Sequence, residues 1–178
     1  YYEPFTRTLE RYPAHDRSFL LGPKDEPETR SWPQVHGVEH LNVNRWMTAL
    51  RKQWKETRLA FNHGLYGIGT DITSETRRSY LAAFDFDDSR ELEQHKKIFT
   101  EGFELFKSLF DYPSKSFIPP NGIFSAKLEP LTKNLGIKYI QSAILFFYPK
   151  GAGRYRKRIR YQGQKSWSGL NYTVRNCI

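Results

Sequence analysis

His36-Gly37-Val38-Glu39-His40 is the stretch of this sequence whose residue types and spacing are best suited to chemistry. Two imidazoles four positions apart, with no thiol beside them, can converge on one divalent cation of zinc type if the backbone between them turns. A pair of histidines is also what ordinary core or surface positions supply, so the setting decides. Pro33 lies three residues before His36, Gly37 lies inside the motif, and Asn42 and Asn44 follow as helix caps. The motif therefore belongs on a loop between a short strand and a helix. In β/α folds that end of a strand is where catalytic residues collect.

The same letters fit the His-x-x-Glu-His pattern of inverted zinc peptidases, in which Glu39 would be the general base. That chemistry needs the motif inside a helix, and Pro33 and Gly37 oppose one there. A single cysteine, Cys177, excludes an internal disulfide framework and any zinc site built from several thiolates. A metal would have to be held by His, Asp and Glu. His15, His63 and His95 have no partner at metal spacing and read as structural or solvent-facing.

The elements that must position the pair alternate between helix and strand without repeats, which predicts an α/β fold in one domain spanning residues 1–178. Residues 3–12 read as a short helix and 18–21 as a strand; 58–61, 116–118, 138–141 and 144–148 read as further strands. A capped helix is expected from Asn42 or Asn44 through Trp46, Met47 and Leu50, and another over residues 125–134, ended by Gly136 in a left-handed cap. The clearest element covers residues 89–110, where Leu92, Phe99, Phe103, Phe106 and Phe110 lie along one stripe. At about 1.5 Å per residue it would be roughly 33 Å long, and only a sizeable core can bury such a stripe.

The chain has 178 residues, of which 38% are hydrophobic and 16% aromatic, and this argues for a folded domain and against disorder. No apolar run is long enough for a membrane-spanning helix and no segment reads as a signal peptide, which leaves the cytoplasm as the favoured compartment. The net charge of +9 would suggest nucleic acid until it is mapped along the chain. Residues 150–178 hold 8 basic side chains and no acidic one, whereas residues 1–149 hold 20 basic and 19 acidic. The basicity is local, which argues against a nucleic-acid partner. Arg154, Arg156, Arg158 and Arg160 alternate with other residues, so a strand there would line one face with guanidiniums able to grip phosphate or a sugar-acid carboxylate. The same alternation also suits an edge strand whose charges discourage pairing with another chain.

His36-x-x-x-His40, followed by Ser116-Phe117-Ile118-Pro119-Pro120-Asn121-Gly122 and then by Leu135-Gly136-Ile137-Lys138-Tyr139-Ile140, resembles the polysaccharide deacetylase family of carbohydrate esterases over roughly residues 30–145. The resemblance implies part of a distorted (β/α) barrel holding a divalent metal, usually zinc, and hydrolysing acetyl groups from an acetylated carbohydrate substrate. It implies that His36 and His40 bind the metal, with Gly37 replacing the usual Ser or Thr between them. Pro119 and Pro120 match the loop that walls the site, and the Asn121 backbone N–H matches the donor that stabilises the oxyanion. Ile118 stands where the family commonly has an arginine that orients the catalytic aspartate.

The family's Asp-Asp motif is expected before the histidines, where Asp16 and Asp25 sit in unlike contexts, and its late histidine is expected after them, where no His follows His95. The chain accordingly reads as a fragment, expected by itself to release little acetate. Asp87 and Asp88, in Phe86-Asp87-Asp88-Ser89, resemble the aspartate motif in letters but follow the histidines. They read either as an acidic helix start or as the carboxylates of a rearranged site. Trp32, Trp46 and Tyr66 are candidates for stacking on sugar rings. The rival from another class is a basic, non-catalytic module that binds acidic glycan or nucleic acid through residues 154–161.

Overall fold

The computed structural model describes residues 33–69 and 78–175. The expected elements before residue 33, together with Trp32, Asp16, Asp25 and His15, lie outside the described residues. The chain forms a mixed α/β arrangement of helices with two small sheets. Helix α1 (Val43–Arg51) and α2 (Lys55–Asn62) are followed by the long α3 (Glu91–Phe110), then β1 (Ser116–Phe117), α4 (Glu129–Asn134), β2 (Tyr139–Ser142), β3 (Leu145–Gly151), β4 (Arg154–Ile159) and β5 (Asn171–Val174). The parallel sheet runs β1-β2-β5, and Val35 extends it by a parallel bridge to Phe117. Strands β3 and β4 make a separate antiparallel pair. Among the described residues the sheets do not close into a barrel.

The phenylalanine stripe of α3 builds the core. Phe99 and Phe103 are buried, and the Phe99 ring meets Phe117 of β1 at 4.7 Å between centroids. Phe84 and Phe124 close the same cluster edge-on and tilted around Phe99. Helix α3 ends at Asp111 in a left-handed conformation. A smaller cluster joins Trp46 and Ala49 of α1 to Ala60 of α2 and to Tyr80.

The strand expected over residues 58–61 is instead the middle of α2. Four residues cannot distinguish a period of 2 from one of 3.6. Here the helix wins because Thr57 and Ala60 are buried at helical spacing, while Leu59 and Phe61 point outward. Helix α1 begins with Asn42 as its cap, whose side chain accepts the Arg45 N–H.

Candidate functional site

The histidine motif follows Val35, whose bridge to Phe117 and whose carbonyl, accepting the Ile118 N–H at 3.1 Å, fix the loop to the end of β1. Residues 36–41 are not helical, so the backbone lacks the helix that the peptidase reading requires. Gly37 has φ +109, a conformation L side chains rarely adopt, and a Cβ there would lie 3.3 Å from the Phe84 ring. That is the physical reason for glycine where the resemblance expects Ser or Thr. Beneath the loop, Gly102 of α3 leaves room for Val38, whose Cγ2 would be 3.0 Å from a Cβ at that position. A bare helix surface therefore lets the motif settle directly on α3.

The two rings lie together, with centroids 4.9 Å apart and planes tilted by 57°. His36 Nδ1 is 2.6 Å from the Ile118 carbonyl oxygen and His40 Nδ1 is 2.6 Å from that of Leu81. A carbonyl only accepts, so in each ring Nδ1 carries the proton and Nε2 is the lone-pair nitrogen. Burial pushes the His36 pKa below its ordinary value; the bond to Ile118 opposes this, and His40 and Arg175 push it down further. A neutral imidazole with its distal nitrogen oriented by a second hydrogen bond is the form that ligates a metal.

The pair thus fits a zinc ion in its donor atoms and its tautomer. Among the described residues no group of three or more His, Cys, Asp or Glu is arranged to hold a metal. Glu39 is half-buried, and burial raises its pKa. It faces a small pocket shared with Asn42 and His95. His95 is buried against Phe84 and Phe86, and its pKa is lowered by that burial, as a structural reading requires. His63 is exposed at the end of α2.

The Pro119-Pro120 segment leaves β1 immediately after Ile118, with both prolines buried and Asn121 exposed at φ 56. The turn is closed by the Gly122 N–H donating to the Pro119 carbonyl at 3.0 Å. Ile118 contributes to the motif through its main chain, a role that any side chain permits.

Asp87 and Asp88 are committed elsewhere. Asp87 pairs with Arg45 at 3.2 Å and with Arg78, and its carbonyl accepts the Ala152 N–H of the β3-β4 turn at 3.1 Å. Asp88 accepts from the Arg90 N–H and guanidinium, which hold its carboxyl down to about 2, far too acidic for a general base near neutral pH. Their main-chain N–H groups both donate to Glu91 Oε1, at 3.0 and 2.9 Å. This is the acidic helix start. Trp46 is 5% exposed and meets Tyr80 edge-on at 5.0 Å, so it is a core residue with no face left for a sugar. Tyr66 is exposed.

Two features were not singled out from the sequence. The first is Arg175, just beyond β5, whose charge acts on His36 across 139 positions of chain. The second is a cleft of about 530 Å³ on the open side of β3-β4, walled by Arg156, Arg158 and Arg160 and flanked by Trp167. Here the alternation of arginines is realised as a surface, although Arg154 is not part of the wall. Lone Ser-Trp-Ser letters carry no signal that would have placed Trp167 there.

No protein-family model matches the chain, and searches of curated proteins and of solved structures find no match. No helix among the described residues is long and apolar enough to cross a membrane.

Proposed function

We propose that this chain is a metal-dependent carbohydrate deacetylase-like protein, part of a distorted (β/α) barrel, in which His36 and His40 bind zinc next to the wall formed by Pro119, Pro120 and Asn121. The observation that carries the reading is the pair of Nδ1 bonds to main-chain carbonyls, which presents two Nε2 lone pairs from rings 4.9 Å apart. The parallel order Val35, β1, β2, β5 supports the barrel, because these strands lie side by side in the order in which they occur along the chain, with β3 and β4 inserted between β2 and β5 as a separate antiparallel pair.

When bound, the metal supplies Lewis acidity toward an acetyl carbonyl and a nucleophile at neutral pH. The described residues supply two ligands, one wall and a candidate donor to the developing oxyanion. His36 and His40 are oriented with Nδ1 on a carbonyl and Nε2 left to ligate, and burial keeps the His36 pKa below its ordinary value. The buried prolines limit water at one side, and the Asn121 N–H is the candidate donor to the charge that develops on the carbonyl oxygen.

The test is zinc titration by calorimetry, with and without His40→Ala, together with acetate release by the protein from acetylated chito-oligosaccharides and acetylated xylan. One zinc per chain, lost in the variant, with chelator-sensitive acetate release, is the expected result. Zinc binding indifferent to His40, or acetate release indifferent to chelator, would overturn the reading.

A further inference from the structure

The cleft beside β4 is charged in one sense only. Lys127, Lys150, Arg156, Arg158 and Arg160 line it together with Trp167, and no acidic side chain does. None of the five cations forms an ion pair among the described residues. The nearest carboxylate in the hydrogen-bond network is Glu129, which is 0% exposed and lies beneath the floor. There it accepts from Tyr172 at 3.1 Å, Tyr148 at 3.3 Å and Ser168 at 3.0 Å.

The floor fixes one cation in advance. Arg160 lies 4.3 Å from the centroid of the Tyr172 ring, donates to the Tyr148 hydroxyl, and keeps a buried Nε without a hydrogen-bond partner. A guanidinium held by aromatic faces loses little freedom on binding an anion. Arg156 and Arg158 repeat along the strand at about 6.7 Å intervals. Trp167 is 71% exposed, a large ring in water at the rim of a cationic pocket.

Clustered cations lining a concave surface focus anions, and guanidiniums pair with planar carboxylates and with sulfates through two parallel hydrogen bonds. An exposed indole supplies a stacking face for a sugar ring. A cleft of about 530 Å³ is of the size that takes a small ligand or a few sugar units rather than a bare ion. Sequence-tolerant nucleic-acid grooves follow a backbone over several nucleotides with successive aromatic platforms. This cleft presents one exposed ring, on a chain whose residues 1–149 are close to electroneutral.

The cleft is also tied to the histidine pair. Ile118, which holds His36, is seven residues from Ser125 of the cleft wall, at most about 25 Å of extended chain. A short oligosaccharide spans such a distance, whereas a free anion does not.

We propose that the cleft formed by β3, β4 and Trp167 binds the carboxylate or sulfate groups of an acidic glycan, making the substrate of the histidine site an acetylated acidic polysaccharide. The substrate half of this statement rests on the deacetylase reading; the binding half does not.

The test measures binding of an oligogalacturonate hexamer, a heparin-derived hexasaccharide, neutral chitohexaose and a dT hexamer by calorimetry in chelator. The unmodified chain and two variants, Arg156→Gln/Arg158→Gln and Trp167→Ala, are compared after thermal melts have verified their folding. The expected result is that one or both acidic sugars bind, that chitohexaose binds at least about tenfold more weakly, and that the double arginine variant loses about tenfold or more. Trp167→Ala should lose about fivefold or more. Preference for the uronate names carboxylate as the anion, and preference for the heparin fragment names sulfate. Equal binding of chitohexaose, tighter binding of the dT hexamer, or an unaffected double variant would each overturn the proposal. Acidic-glycan binding that survives when zinc fails to bind at His40 would leave the cleft standing and remove only the deacetylase reading beneath it.

Discussion

The histidine loop and the cationic cleft are positioned by opposite means. Both imidazoles are aligned by main-chain carbonyls, of Ile118 and of Leu81, in a half-buried setting that lowers the pKa of His36. The cleft is aligned by side chains, with Arg160 stacked on Tyr172 and Tyr155 of β4 tied to the core by its hydroxyl, which donates to Asp85 at 2.6 Å. Its charges stand in water, and its supports are a buried carboxylate and phenols. The first region should tolerate side-chain change around it, because a carbonyl is present whatever the residue. The second should respond sharply to such change, because each support is a particular functional group.

The largest effect expected from this contrast comes from Asp85→Ala. Asp85 is 1% exposed and accepts from the buried Arg45 at 2.8 Å as well as from Tyr155. Removing it leaves the buried Arg45 guanidinium with only the more exposed Asp87 as a carboxylate partner and leaves the Tyr155 hydroxyl without its acceptor, and should cost about 3 kcal/mol or more in urea unfolding. Phe99→Ala is the counterpart on the other side, since Phe99 packs against Phe117 at the root of the histidine loop. It should cost about 3 to 5 kcal/mol as well. If the two regions are independent, the first variant should weaken acidic-sugar binding more than zinc binding, and the second the reverse. Equal losses of both activities in either variant would break the comparison.

A smaller and more selective effect is expected at the loop itself. His40→Ala should lower zinc affinity at least about 100-fold, since it removes one of two identified donors. Its stability cost should be only about 1 kcal/mol from the lost bond to Leu81. Ile118→Val, by contrast, should leave zinc affinity within about twofold, because the acceptor for His36 is a carbonyl. A large loss in that variant would mean that the side chain, not the main chain, sets the ring.

The difference between the regions also explains what could be read from the sequence. Helix α3, the Asn42 cap, the strands at β1, β2 and β3 and the left-handed Gly136 follow from periodicity and local chemistry, which are written in neighbouring residues. The histidine pair was legible for the same reason, being contained in five positions. What was not legible depended on distant partners. Phe86-Asp87-Asp88 gives no sign that Arg45, Arg78 and Arg90 will occupy its carboxylates. Trp46 gives none that Tyr80 will cover it, and Glu129 shows nothing in sequence of the tyrosines at Tyr148 and Tyr172 that bury it. The arginine alternation announced a charged face, but only the antiparallel pairing with β3 made that face a cleft.

The smallest effect concerns protons and separates the loop from its foundation. His36 and His95 both have pKa values lowered mainly by burial, with Glu91 and Asp85 opposing the shift at His95. A lowered value means that the unfolded chain binds more protons than the folded one between the two pKa values. The stability these neutral rings allow is therefore complete above the ordinary histidine value near 6.5, and it is lost as pH falls through the lowered folded values. Urea midpoints measured from pH 7.5 down to pH 5 should decline over that window. The loss should come to at most about 1.4 kcal/mol for each pKa unit of difference per residue. His95→Gln cannot titrate, so it should flatten part of the decline while leaving zinc binding in place. In the unsubstituted chain zinc should restore stability, because it binds only the neutral form of His36. If zinc failed to reduce the decline, the proton-sensitive ring would be His95 alone, and the histidine loop would be no better prepared for a metal than an ordinary surface pair.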